Sequence, residues 1–599
     1  MSATLEHIYA PILQTKRGAP VFMGYSPKHK NVVYCCGNAV VIRNLENPLE
    51  ADMYYAHGCQ VTCAKYSPSG YYIASGDVRG TVRVWDTTQK EHPLKLECRP
   101  LSGAISDLAW SGDNQRIVVA GDGKERFGAV FMSDAGSSVG EISGHTKPLV
   151  SCDFRQARPF RVATGGEDLQ VNWFEGPPFK FKKSLRDHDR MVTCVRFSPD
   201  GAYVATCGTD KKINIYDGKT GDKIATHTGL HTGGIYSLSW CDDNKTLLTA
   251  SADKTATLMD AVTGAEVARF KFGGEKPQTS DQQLGCLWTK EAVMTFNLDG
   301  EISIVDPANP AAAPRVITGH NKGIYAIAAK DGKFYTGGTE RTIVQWDAAT
   351  GVCKRVAGAG HGNQVSALAV QGNTLISGAY DNTVRFTPID TLVYGNSVST
   401  DAPVMGIAAG TKTDVVVAVT KTSAYVIRAG KIASTVPIAY TATCVSLNPA
   451  EDEVAVGGED CKIHIYKLAG DSLEAVKDLD GLRGALSCVT YSPDGLYLAS
   501  SDASRNIFVW DVATKTIKIQ GWVFHAARIN AIAWSPDSIH LSSAGIDSDI
   551  YVWSVAEPSK RAFVKAAHPG GALATTWLNE TTLLTAGQDC AIKSWTVAF

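Results

Sequence analysis

Eight histidines recur along this chain, each near the start of a similar segment: His57, His145, His188, His231, His320, His361, His525 and His568. An acidic series runs in register with them. Asp210, Asp253, Asp299, Asp460, Asp547 and Asp589 each lie six residues before a bulky apolar or aromatic residue, and Glu340 takes that place before Trp346. An imidazole beside a carboxylate is the pairing that general acid–base catalysis uses. Its repetition argues against that chemistry here, because a reacting centre needs one such constellation and this one occurs in most segments. The pairs read as scaffolding. Nucleophile-elbow, P-loop and HExxH patterns do not occur in the chain. The glycines of GDGKERFG (Gly121 to Gly128) lack the GxxxxGK[ST] arrangement, and no helical pattern follows them. Neither an enzyme nor a cofactor is expected.

The elements that must position these residues are short strands. At intervals of 40 to 46 residues a strand ends on Ile42, Trp85, Phe131, Trp173, Tyr216, Met259, Val305, Trp346, Phe386, Val426, Tyr466, Trp510, Trp553 or Trp595. A repeat of this length holding several strands points to propeller blades. One blade cannot bury both of its faces, so neighbours must stack. The second repeat shows the pattern: VTCAKY (Val61 to Tyr66), a Ser-Pro-Ser-Gly turn, YYIAS (Tyr71 to Ser75) and TVRVWD (Thr81 to Asp86). Alternation puts Val61, Cys63 and Lys65 on one face and Thr62, Ala64 and Tyr66 on the other.

The 599-residue length exceeds one hydrophobic core, and 44% apolar with 20% charged residues describes a folded chain rather than a disordered one. With 58 basic against 60 acidic residues there is no field to attract nucleic acid. No run offers the roughly 18 apolar residues of a membrane-spanning helix, and MSATLEHIYAPILQTKRG lacks the apolar run of a signal peptide. The 15 cysteines are scattered, without CxxC or zinc spacing. They are expected to be reduced, buried small hydrophobes in a cytoplasmic protein, with no metal site.

Gly-His near the start of a unit and Trp-Asp near its end, kept in full at Trp85-Asp86, Trp346-Asp347 and Trp510-Asp511, resemble the WD-repeat family. That resemblance implies that the His and Asp groups hydrogen-bond within each blade. Fourteen units divide as seven plus seven, so the expected fold is all-β, two tandem seven-bladed WD-repeat propellers. DPANPAAAP (Asp306 to Pro314) is the linker candidate, giving domains 1–314 and 315–599. The last repeat is one outer strand short. Either Leu5 to Leu13 closes the second ring, or it closes the first while RVITG (Arg315 to Gly319) closes the second.

Segments outside the blade pattern carry a narrower resemblance. KERFG at Lys124 to Gly128, GGED at Gly165 to Asp168, PPFKFK at Pro177 to Lys182, SDQQLGCLWTKEAV at Ser280 to Val293 and WLNETTLLTAGQDCAIKSW at Trp577 to Trp595 are similar to the actin-interacting protein 1 family. The resemblance implies a non-enzymatic protein that binds actin filaments decorated with cofilin (actin-depolymerizing factor), promotes their disassembly and is associated with barbed-end capping. It places the partner surface on the first propeller, at Glu125, Glu167 and Phe181, with Asp168, Phe179, Lys180 and Lys182 as neighbours. Met191 stands where the family resemblance leads one to expect an aromatic residue. The resemblance gives a monomer on the actin cytoskeleton with no nucleic-acid or membrane partner. The competing reading is another double-propeller cytoskeletal scaffold, such as a microtubule-associated protein of the echinoderm EMAP-like family.

Overall fold

A computed structural model describes residues 1–599. Fourteen four-stranded antiparallel sheets account for the fold, and the only helical element is a 3-10 turn at Thr279–Asp281. The sheets are the blades of two tandem seven-bladed propellers. Each blade is a meander whose first strand lies innermost and whose fourth lies at the rim. In the second blade these strands are Val61–Tyr66, Tyr72–Asp77, Val82–Asp86 and Leu94–Cys98.

The Ser-Pro-Ser-Gly turn forms as its residues dictate. Gly70 adopts φ 73°, a left-handed conformation that side chains resist, and its N–H donates to Ser67 O at 2.8 Å. The predicted alternation along Val61–Tyr66 breaks, however. A register shift between Val61 and Cys63 inserts a bulge, and Val61, Cys63 and Ala64 are all buried. The same shift occurs at Ile105/Asp107, Leu149/Ser151 and Val192/Cys194. A bulge bends an innermost strand and re-aims one side chain. Here it turns Thr62, Ser106 and Val150 towards a central cavity.

One compact unit comprises Ile12–Glu46 and Ala51–Thr318, and the other Met1–Pro11, Asn47–Glu50 and Gly319–Phe599. The expected boundary at Pro314 therefore moves. Arg315–Ile317 is the rim strand of the seventh blade, paired with Ile302–Val305 through Ile302↔Ile317 and Ile304↔Arg315. The open question of closure is answered by the N-terminal strand. Ser2–Tyr9 pairs antiparallel with Ile592–Ala598 and supplies the missing rim strand of the last blade. Tyr9 then seals the second ring, with its ring edge-on to Phe334 at 4.9 Å and its hydroxyl donating to Ala348 O at 3.0 Å. The first ring closes where Val21 N–H donates to Leu284 O at 3.0 Å.

The recurrent polar groups lock blades from within. Trp85 Nε1–H donates to Ser75 Oγ at 3.1 Å, Ser75 donates to His57 Nε2 at 2.7 Å, and His57 Nδ1–H donates to Asp77 at 3.2 Å. Burial lowers the His57 pKa despite Asp77, which keeps the ring neutral and able to accept from Ser75. All eight predicted histidines meet a carboxylate in this way. Asp460 differs, facing His464 at 3.1 Å.

A second internal lock crosses the innermost strands of the first propeller. Asp107, fully buried, accepts from Lys65 at 2.7 Å and from Arg196 at 2.8 Å, and Phe22 lies over the Arg196 guanidinium at 4.5 Å. Burial would push the Asp107 carboxyl up, but Arg196 and Lys65 outweigh it and hold it below the ordinary carboxylate value.

Candidate partner-docking face of the first propeller

In a four-stranded meander, the loop after the second strand and the loop after the fourth emerge at the same end of the blade. Glu125 lies in the loop between Arg116–Gly121 and Gly128–Met132, and Glu167 in the equivalent loop between Arg161–Gly166 and Val171–Glu175. Met191 lies in the loop that follows the rim strand Lys180–Leu185. The fold thus sends all three to one end of the first propeller.

Glu125 is exposed in a tight loop, its N–H donating to Gly123 O at 2.7 Å, while Lys124 before it takes the left-handed φ of 63°. Arg126 next to it reaches Glu141 at 3.2 Å. Both partners of that pair are about two-thirds exposed, so it adds little to stability. Glu167 is exposed as well, and its N–H is tied to Pro148 O at 3.0 Å. Glu167 and half-buried Met191 meet at a cavity of about 490 Å³ in the middle of the ring. The segment from Leu13 to Phe22, with Lys16 and Arg17, lines its other side.

Two of the residues expected at the docking face have buried side chains. Asp168 lies six residues before Phe174, which occupies the anchor position of the strand Val171–Glu175 in place of Trp173. Its side chain is 2% exposed and pairs with His145 Nδ1 at 2.9 Å, and it also accepts from Thr146 N–H at 3.0 Å. Burial alone would raise its pKa, but His145 and the backbone N–H groups of Thr146 and Gln170 hold it below the ordinary value. Asp168 is therefore the blade's own scaffold carboxylate, and it positions Glu167.

Phe179 is buried as well. In a regular strand, Phe179 and Phe181, alternating with Lys180 and Lys182, would put both rings on one face. The rim strand begins at Lys180, and a register shift between Trp173 and Phe174 sets Phe181 opposite Phe174 and Lys183 opposite Trp173. Phe179 instead bridges to Gly140 on the rim strand of the neighbouring blade, and its N–H donates to Val139 O at 3.0 Å. Its ring is 2% exposed and edge-on to Phe154 at 5.3 Å.

Phe181 takes the opposite position. It is 43% exposed, its ring 6.0 Å from Phe174. Gly144 sits against it, such that a Cβ there would come within 3.1 Å of the ring. Lys180 and Lys182 flank it in solvent, Lys182 only 3.9 Å from Glu175. The fourth blade thus presents one half-open aromatic with flanking lysines on its rim strand, while the two exposed carboxylates lie in loops at one end of the propeller. No cluster of three or more His, Cys, Asp or Glu side chains is arranged to hold a metal ion, and no helix is long and apolar enough to cross a membrane.

The WD domain, G-beta repeat family matches residues 50–86, 179–217, 222–260, 351–386, 474–511 and 518–554. The chain is 48% identical over 603 residues to the 66 kDa stress protein of Physarum polycephalum, covering all of both chains. It is 42% identical over 602 residues to actin-interacting protein 1 of Drosophila melanogaster, covering 99% of this chain and 98% of that one. To WD repeat-containing protein 1 of Gallus gallus it is 41% identical over 609 residues, with both chains covered completely. The chain belongs to the actin-interacting protein 1/WD repeat-containing protein 1 family.

Two exposed apolar residues in loops at the same end were not singled out by the sequence. Leu169 is 39% exposed at φ 69°, two residues from Glu167, and Val78 is 36% exposed at the cavity wall. Each occupies a loop position where hydrophobic residues are uncommon. An apolar residue beside the scaffold aspartate (Val78 after Asp77, Leu169 after Asp168) is the signal that could have found them.

Proposed function

We propose that this chain binds actin filaments decorated with cofilin and promotes their disassembly, acting as a non-enzymatic, monomeric cytoplasmic protein that also caps barbed ends. The observation that carries the reading is the end-to-end similarity to a relative named actin-interacting protein 1. The exposed residues Phe181, Glu125 and Glu167 support it, because an aromatic that a partner would desolvate, together with charged groups, is the composition of an interface hot spot. Lys180, Lys182 and Met191 are proposed as further contacts. Asp168 and Phe179 hold the exposed residues in place from beneath.

Selective binding of the cofilin-bound filament would shift the filament population towards fragments, because a ligand displaces an equilibrium by its differential affinity for the two states. Fluorescence imaging of single filaments tests the proposal. Adding this protein to cofilin-coated filaments should raise the severing frequency severalfold while leaving bare filaments intact. Equal effects on both, or on neither, would end it. Microtubules imaged in parallel should remain unbound.

A further inference from the structure

We infer that the sixth blade of the second propeller carries a separate docking site for an extended acidic peptide segment bearing an aromatic or aliphatic anchor. Four phenylalanines of the chain are exposed, and two of them, Phe524 and Phe563, each 47% exposed, lie on this blade. Phe563 is on the rim strand Arg561–Val564 and stacks on Tyr551 at 4.7 Å. Phe524, in the loop entering the blade, lies 5.8 Å from Trp553, and its carbonyl accepts from the Tyr551 hydroxyl at 3.2 Å. Tyr551 and Trp553 are themselves stacked at 5.1 Å. The two exposed rings are thus the outer members of one aromatic cluster.

Charge identifies the occupant. The Arg561 guanidinium lies 3.8 Å over the Phe524 ring. No carboxylate comes within ion-pair distance of Arg561 or of exposed Lys565. From Ser559 to Ala566, three of eight residues are basic and none is acidic. Glu557 holds Lys560 at 2.7 Å, and Asp549 accepts from Ala566 N–H at 2.8 Å. A planar guanidinium laid on an aromatic face keeps its N–H edge free for a carboxylate. With Lys560 paired to Glu557, the positive charges left for a partner are those of Arg561 and Lys565.

The backbone supplies the extended register. Arg561–Val564 ends its sheet, so one edge of its N–H and C=O groups faces outward. Along it, Arg561 and Phe563 are exposed, while Ala562, 2% exposed, faces the last blade. An added strand would pair with this edge and set alternate side chains against Phe563 and Arg561.

The test uses the full chain and fluorescein-labelled octapeptides read by anisotropy. One alternates Asp/Glu with Phe/Leu, one replaces the acids by Lys, and one replaces the apolar residues by Ser. The first should bind, and the other two should bind at least tenfold more weakly. Arg561→Glu should weaken binding of the first peptide at least tenfold. Lys565→Glu, at a solvent-exposed side chain that leaves folding intact, should weaken it about threefold. Equal binding of all three peptides, no binding of the first, or undiminished binding by both variants would overturn the proposal. So would concentration-dependent dimerisation abolished by Phe563→Ser in sedimentation velocity, or capture by phosphatidylserine vesicles in place of the peptide. None of these readouts involves actin, so the site stands or falls apart from the filament proposal.

Discussion

Replacing Phe181 by Ala separates docking from folding. The ring is 43% exposed in the free chain. A Phe side chain offers roughly 200 Å² of surface, so the exposed part is about 85 Å². If a partner covers it, about 2 kcal/mol is lost with the ring at ~25 cal/mol per Å², roughly a thirtyfold weaker Kd. The part already packed against Phe174 and Gly144, about 115 Å², contributes at most about 3 kcal/mol to folding at the same coefficient. That is small against the stacked core of a blade. Binding of the variant to cofilin-decorated filaments, measured by pelleting at several concentrations, should weaken ten- to thirtyfold with a melting temperature within a few degrees of the parent. A Kd within twofold of the parent, in a normally folded variant, would remove Phe181 from the face and refute the argument from its exposure.

Phe179→Ala, only two positions away, should do the reverse: emptying a site 2% exposed costs about 3–5 kcal/mol, seen as a lower urea midpoint. Glu125→Ala combined with Glu167→Ala should slow association with the filament severalfold at low salt, and the difference should shrink near 0.15 M, where the Debye length is about 8 Å. Asp107→Asn strands Lys65 and Arg196 in the ring's interior and should cost about 3–5 kcal/mol, read by chemical denaturation. Burial lowers the pKa of His57, His361 and His568 from their ordinary 6.5. The unfolded chain then binds protons more tightly than the folded one below that value, so stability should fall as pH drops from 6.5 towards 5. Asp77, Asp381 and Asp547, held below 3.8 by hydrogen bonds that outweigh burial, should extend the loss below pH 4. His92, raised by Asp52 against its burial, runs the other way. Thermal melts across pH 4–8 check the sign.

The blade count was legible because each repeat must bury a bulky residue on its third strand, and fourteen such residues stand at near-constant spacing. Ring closure was not legible. Leu5–Leu13 and Arg315–Gly319 are both strand-like, and only pairing partners distant in sequence decide between them. The docking face was half legible. Phe179 and Phe181 look equivalent in an ideal strand, yet the chain enters that strand only at Lys180, having first crossed to the neighbouring blade. Asp168 was not legible as a scaffold carboxylate. Six positions back from Trp173 lies Glu167, whereas the residue at the anchor position is Phe174, which selects Asp168 as the partner of His145.

The most direct test of the account is a pelleting titration of the intact chain with actin filaments, bare and saturated with cofilin. The proposal predicts that the chain sediments with the decorated filaments at least tenfold more tightly than with bare ones. Equal affinity for the two, or a chain that stays in the supernatant with both, would contradict it.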